Sequence, residues 1–168
     1  KSVNFSKEGD KLISSGDDKC IKLWGINYRK GPDHIRKVTN HSFIQSYVRH
    51  TDWILESKLS VDNRVIASID TKSVRLWDTQ TGTPILNFKN TGFLNTSLSF
   101  HPDGNYIAVG SDSKHIKIWD VRSRKLAQDY LMTSEVNAVD FHPSGVVLAC
   151  ANTYHKPLNN SSLNVRDC

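Results

Sequence analysis

The sequence predicts an all-β chain of about four repeats, each of four short antiparallel strands, forming part of a β-propeller. Three observations predict it. An apolar-Lys/Arg-apolar-Trp-Asp tail recurs as Ile21-Lys22-Leu23-Trp24-Gly25, Val74-Arg75-Leu76-Trp77-Asp78 and Ile116-Lys117-Ile118-Trp119-Asp120, and drifts to Leu163-Asn164-Val165-Arg166-Asp167. Successive tails lie 53, 42 and 47 residues apart, against the roughly 40 to 45 residues of a four-stranded propeller blade. No segment carries a sustained apolar stripe of helical period, so almost no helix is expected.

Each unit justifies its strands in order. A first strand ends on Phe5, Leu59, Phe100 or Phe141, and a polar turn follows: Ser6-Lys7-Glu8-Gly9-Asp10, Ser60-Val61-Asp62-Asn63, His101-Pro102-Asp103-Gly104 or His142-Pro143-Ser144-Gly145. Pro presets one turn residue and Gly supplies positive φ, which makes these hairpin signals. A second turn, Gly16-Asp17-Asp18-Lys19 or Ser111-Asp112-Ser113-Lys114, leads into the Trp-bearing third strand. A fainter fourth strand follows, as in Pro84 to Phe88 and Leu126 to Leu131. From the first-strand residue to the Trp position the count is 19, 18, 19 and 25, so the second unit has lost one residue near Ile69-Asp70-Thr71 and the fourth has gained six near 154–160. The approximate repeats are 1–40, 41–83, 84–125 and 126–168.

The 168 residues are 38% hydrophobic and 23% charged, which fits a soluble globular core. The longest strongly apolar stretch, Val146 to Ala151, is too short to cross a bilayer, and no signal segment opens the chain. A soluble cytosolic protein is therefore expected, with no membrane partner. Cys20, Cys150 and Cys168 show no metal-ligand spacing and read as buried free thiols. The net charge of +5 favours an acidic partner, whether nucleic acid, a protein surface or a tubulin-like polymer.

These repeats resemble the WD40 superfamily, whose blades carry a hydrogen-bonded set of His, Ser or Thr, Asp and Trp. Carried over by position, the first unit offers Asp18 and Trp24, the second His50 and Trp77, and the third Ser111 and Trp119. Thr71 and Ser113 stand where the Asp belongs, Asn90 where the third unit's His belongs, and Arg166 replaces the last Trp. No blade is therefore expected to hold the full set.

A closer resemblance is to the proteome-of-centriole family of centriolar WD-repeat proteins. It rests on Lys1 to Ser6, Arg49-His50-Thr51-Asp52-Trp53, Trp119 to Arg124 and Val136 to Gly145, taken in that order. The resemblance implies a seven-bladed propeller with a linker and coiled coil, binding centriolar and basal-body microtubules. The chain would then be part of a longer non-catalytic scaffold in the cytoplasm, cytoskeleton, centriole, basal body or cilium. Its partners would be tubulin, microtubules and neighbouring centriolar proteins. The alternatives are an adaptor subunit of another complex, such as a ubiquitin ligase or chromatin factor, and a basic nucleic-acid-binding propeller.

Catalytic readings find little footing. There is no Gly-x-Ser-x-Gly elbow, and His50 and Ser111 fall at repeat-equivalent positions. The seven His residues lack zinc spacing, and the glycines punctuate turns singly instead of clustering into a phosphate loop. No catalytic residue, metal, cofactor or small-molecule substrate is expected.

The strongest departure from the repeat is the basic insertion at 28–40, which places Arg29, Lys30, Arg36 and Lys37 around the single Asp33. It reads as a solvated loop or as a basic finger for an acidic surface. Arg122, Arg124 and Lys125 form a second basic cluster at the corresponding turn of the third unit. Trp53 and Phe93 hold positions where WD40 chains display contact residues, yet burial is the expected fate of aromatics there. Lys22, Arg75 and Lys117, each two residues before a Trp, read as architectural, their stems covering apolar surface.

Overall fold

The computed structural model describes residues 1–30, 36–89, 94–153 and 162–167, with the side chains at 30, 36, 89 and 162–167 outside what is described. Fifteen strands form four antiparallel sheets in strict chain order, and the described residues contain no helix. The first sheet holds β1 (Ser2–Phe5), β2 (Lys11–Ser15), β3 (Cys20–Lys30) and β4 (Arg36–Val48). The second holds β5 (Ile54–Leu59), β6 (Val65–Asp70), β7 (Ser73–Asp78) and β8 (Pro84–Lys89). The third holds β9 (Asn95–Phe100), β10 (Tyr106–Ser111), β11 (His115–Asp120) and β12 (Lys125–Leu131). The last holds β13 (Val136–Phe141), β14 (Val147–Asn152) and β15 (Ser162–Asp167).

These are propeller blades stacked face to face. Ile13, Ile21, Leu23 and Tyr47 of the first sheet pack on Ile54, Leu59, Ile66 and Trp77 of the second. Ala67, Ile69, Val74, Leu76 and Phe88 on the second sheet's other face meet Leu98, Phe100, Ile107 and Val109 of the third. Ala108, Ile116, Ile118 and Met132 then meet Val136, Val139, Phe141, Leu148 and Cys150 of the fourth. Inner blades bury both faces of their middle strands, so β6 and β10 read as near-continuous small-apolar runs. The first strands of neighbouring blades are tied by polar bridges: Ser15 Oγ to Ser57 Oγ (2.8 Å, from β2 to β5), the Leu98 amide to Glu56 Oε2 (2.6 Å), and the Ser99 hydroxyl to Asp140 Oδ1 (2.7 Å).

The first turn is built alike in every blade. The amides of Gly9, Asn63, Gly104 and Gly145 each donate to the carbonyl three residues earlier, and all four residues have positive φ between 59° and 78°. Asn63 occupies the left-handed position that Gly takes elsewhere, which Asn tolerates better than most residues. At the second turn Lys19 and Lys114 are left-handed, whereas the second blade passes from Asp70 to Ser73 with no positive φ. The missing residue of that unit is absent from this turn.

Two expectations change. The fourth strands β4, β8 and β12 fall at or across the start of the following sequence unit, so the hydrogen-bonded sheets are offset by one strand from the repeats at 1–40, 41–83, 84–125 and 126–168. Of the insertion at 28–40, residues 31–35 lie outside those described and the rest is ladder: β3 and β4 pair from Cys20↔Val48 to Lys30↔Arg36, with register shifts after Leu23 and after Asn27. The reason lies at Gly25. In the second and third blades the Asp after the Trp caps a tight turn, Asp78 accepting from the amides of Gln80 (2.9 Å) and Thr81 (2.7 Å) and Asp120 from those of Arg122 (2.8 Å) and Ser123 (3.1 Å). These amides hold both carboxyls below the usual range, Thr81's foremost at Asp78 and Ser123's at Asp120. Gly25 offers no carboxylate there, and the two strands run on.

Candidate functional site

The second blade holds a buried polar chain. Trp77 Nε1–H donates to Ser68 Oγ (2.8 Å), Ser68 Oγ lies 2.6 Å from His50 Nε2, and His50 Nδ1 lies 2.7 Å from Asp70 Oδ2. Indole can only donate, so Ser68 accepts from Trp77 and passes its own proton toward His50 Nε2; in the neutral ring Nδ1–H then donates to Asp70. Asp70 further accepts from the Ser73 hydroxyl (2.7 Å), the Ser73 amide (2.6 Å) and the Lys72 amide (2.9 Å). Burial by itself would raise the Asp70 carboxyl, but the bonds from His50, Ser73 and Lys72 outweigh it and hold the pKa at about 2.

This set corrects the expectation that no blade is complete. The acid is Asp70, seven residues before Trp77, not Thr71 at six, because the shortened turn draws the carboxylate back to the end of β6. Thr71 instead donates its hydroxyl to Asp52 Oδ2 (2.5 Å). Ser68 also escaped the sequence reading. The residue two beyond the Trp's strand partner is Ser14, Ser68 or Val109 in the first three blades, and that register identifies it.

The other network candidates are placed differently. Trp24 is half-buried and donates to Ser14 Oγ (3.1 Å), with Phe43 edge-on at 5.5 Å. Asp18 meets Lys22 Nζ (2.6 Å) and the Cys20 amide (3.3 Å), not a His. Trp119 stacks on Phe88 at 4.3 Å, with Val109 where a hydroxyl would be needed. Ser111 bonds Ser113 Oγ (2.7 Å) and the His115 carbonyl (3.1 Å), away from that Trp. Asn90 and Phe93 lie outside the described residues, as do Cys168 and the Arg166 side chain.

Ser68, His50 and Asp70 have the order of a hydrolytic nucleophile, base and orienting acid. They do not have its setting. The His50 and Asp70 side chains are 0% and 2% exposed and Ser68 is fully buried, so no substrate reaches the hydroxyl, which already accepts from Trp77. The arrangement fastens β6, β7 and the segment entering β5 together.

The surface candidates do not converge. Chain direction places the β3–β4 and β11–β12 turns at one end of the strands and the approach to β5 at the other. Arg29 and Lys37 are therefore at the opposite end from Trp53, and both are exposed. The Lys30 and Arg36 side chains lie outside those described. Arg122, Arg124 and Lys125 are exposed in the β11–β12 turn, where Arg124 has φ 61°. Trp53 is 52% exposed, against the expected packing, with Lys1 Nζ 4.5 Å from its ring centre. Cys150 is buried, but Cys20 is only partly so. Lys22 reaches Asp18, and Arg75 Nε is buried without a partner among the described residues.

A cleft of about 620 Å³ opens at the base of the long hairpin, lined by Lys11, Leu23, Ile44, Asp62, Arg64 and Asp78 among others. No local sequence signal marks it, since its walls come from two blades.

Parts of the first and third blades find their counterpart among known proteins. The family described as "WD domain, G-beta repeat" matches residues 1–25 and 83–120. Those two segments carry WD40 repeats. The first match stops at Gly25, where the long hairpin leaves the repeat pattern. Similar proteins include the Schizosaccharomyces pombe "Target of rapamycin complex subunit wat1", 27% identical over 143 residues, covering 83% of this chain and 41% of that protein. The Saccharomyces cerevisiae "Coronin-like protein" is 29% identical over 136 residues, 76% of this chain and 20% of that protein. The Arabidopsis thaliana "THO complex subunit 3" is 28% identical over 144 residues, 86% of this chain and 44% of that protein. The chain thus spans less than half the length of each of these relatives.

Proposed function

We propose that this chain is a blade segment of a non-catalytic WD40 adaptor, a subunit that holds protein partners within a multiprotein assembly. The observation that carries the reading is the similarity, over 83% and 86% of this chain, to proteins named as subunits of the target of rapamycin and THO complexes. The use of its buried Ser, His and Asp in architecture supports the same reading. A centriolar, microtubule-binding scaffold is the second reading, and the basic β3–β4 hairpin favours it through attraction to acidic tubulin surfaces.

The test uses the native full-length protein. Isolation under mild conditions should give a heteromeric assembly of fixed stoichiometry that does not pellet with polymerised tubulin at physiological salt. Pelleting would move the function to the microtubule scaffold. A free monomer in native extracts would contradict both readings.

A further inference from the structure

The β3–β4 hairpin extends past its blade. β2 pairs with β3 only as far as Gly25, and the Ile26 amide makes the last backbone bond to that side, to the Asp10 carbonyl (2.7 Å). Beyond it β3 has β4 as its one strand partner, with register Ile26↔His41, Asn27↔Asn40, Tyr28↔Val38, Arg29↔Lys37 and Lys30↔Arg36. A bare two-stranded ribbon is marginal in water. Like charges directly opposed across strands weaken it further, as at Arg29↔Lys37. No described carboxylate forms an ion pair with Arg29 or Lys37.

The ribbon also presents an open edge. β4 is 13 residues long against 6 for β8 and 7 for β12, and among the described residues its outer side has no strand neighbour. Val38, Phe43, Ile44 and Val48 stand exposed along it. Long edge strands with exposed apolar side chains are templates for another strand. Opposed cations at one end and apolar residues along the edge call for an extended partner that is acidic at the tip and apolar toward the blade.

We propose that β4 accepts an extended acidic segment of a partner protein as an added strand, its carboxylates on Arg29 and Lys37 and its apolar side chains on Val38, Phe43 and Ile44. Main-chain bonds supply the affinity and the charges set direction and register. This deepens the adaptor reading and rests on it.

The full-length protein is titrated with a fluorescent peptide of about twelve residues, Glu-rich in one half and Val-rich in the other, long enough to span β4. A matched peptide with Pro at alternate positions cannot complete a ladder. The Glu-Val peptide should bind, weaken as salt rises, and lose about tenfold in affinity on Arg29→Glu with Lys37→Glu. The Pro peptide should bind at least about tenfold more weakly. Lys72→Glu with Lys114→Glu, an equal change of charge at the other end of the strands, should leave binding unaltered. Equal binding of the Pro peptide, or indifference to the hairpin charges, would overturn strand addition. So would tighter binding of an oligothymidine, which would make the arm a nucleic-acid contact. Either failure, with the native heteromeric assembly still intact, would leave the adaptor function standing.

Discussion

His50 Nδ1 lies 2.7 Å from Asp70 Oδ2 with both side chains withdrawn from water, so the second blade is locked by a pair that neither residue can leave without stranding the other. Removing one partner of such a pair leaves a buried polar group uncompensated. His50→Ala should lower the unfolding free energy of the full-length protein by about 3 kcal/mol, read from urea midpoints. A change within a few tenths of a kcal/mol would show that the chain of bonds does not hold the blade.

The same pair makes a pH signature. Asp70 has a folded pKa of about 2 against an ordinary 3.8, so the unfolded chain takes up the proton first as pH falls. Its contribution, roughly 2 kcal/mol, is fully present above the unfolded value and is lost as pH drops through the folded one. Stability measured between pH 6 and pH 2 should therefore fall less steeply in Asp70→Asn than in the parent.

Trp77 and Trp24 occupy equivalent places with unequal consequences. Trp77 is 1% exposed and bonds a serine that is itself bonded to His50, whereas Trp24 is half-buried and its Ser14 has no such relay. Trp77→Phe strips the donor from a buried hydroxyl and should cost about 2 kcal/mol. Trp24→Phe should cost less, and comparable thermal shifts for the two would contradict the unequal blades.

Asn63 tests the repeated first turn. It adopts φ 59°, where its counterparts are glycines at 75° to 78°. Asn63→Ala should destabilise by about 1 kcal/mol because alanine is disfavoured in the left-handed region, where Asn is enriched. Asn63→Gly should be neutral to within a few tenths, with denaturant midpoints as the readout.

Much of the fold was legible because the Trp tails mark the third strands and the Gly or Asn turns mark the first hairpins. His50 and Trp77 were legible from their spacing. Asp70 was not, since a template of fixed offset looks at Thr71, and only the shortened turn at Asp70 to Ser73 tells where the carboxylate falls. Arg29 and Lys30 read as loop by composition, yet they are paired because pairing depends on what caps the turn after Trp24, and Gly25 caps nothing. Exposure of Trp53 was hidden for a different reason: apolar area predicts burial on average, whereas a residue entering an inner strand at a blade's open end finds little to pack against. The cleft at Ile44, Asp62 and Asp78 joins residues from two blades and has no local signal at all.

The proposed hold on a protein partner lies in the arm that projects from the first blade. It is tested most directly by shortening the arm in the full-length protein, joining Ile26 to His41 through a tight Asn-Gly turn, and then weighing the native assembly. The shortened protein should melt within a few degrees of the parent and lose at least one stoichiometric partner. An assembly of unchanged mass and composition would contradict it.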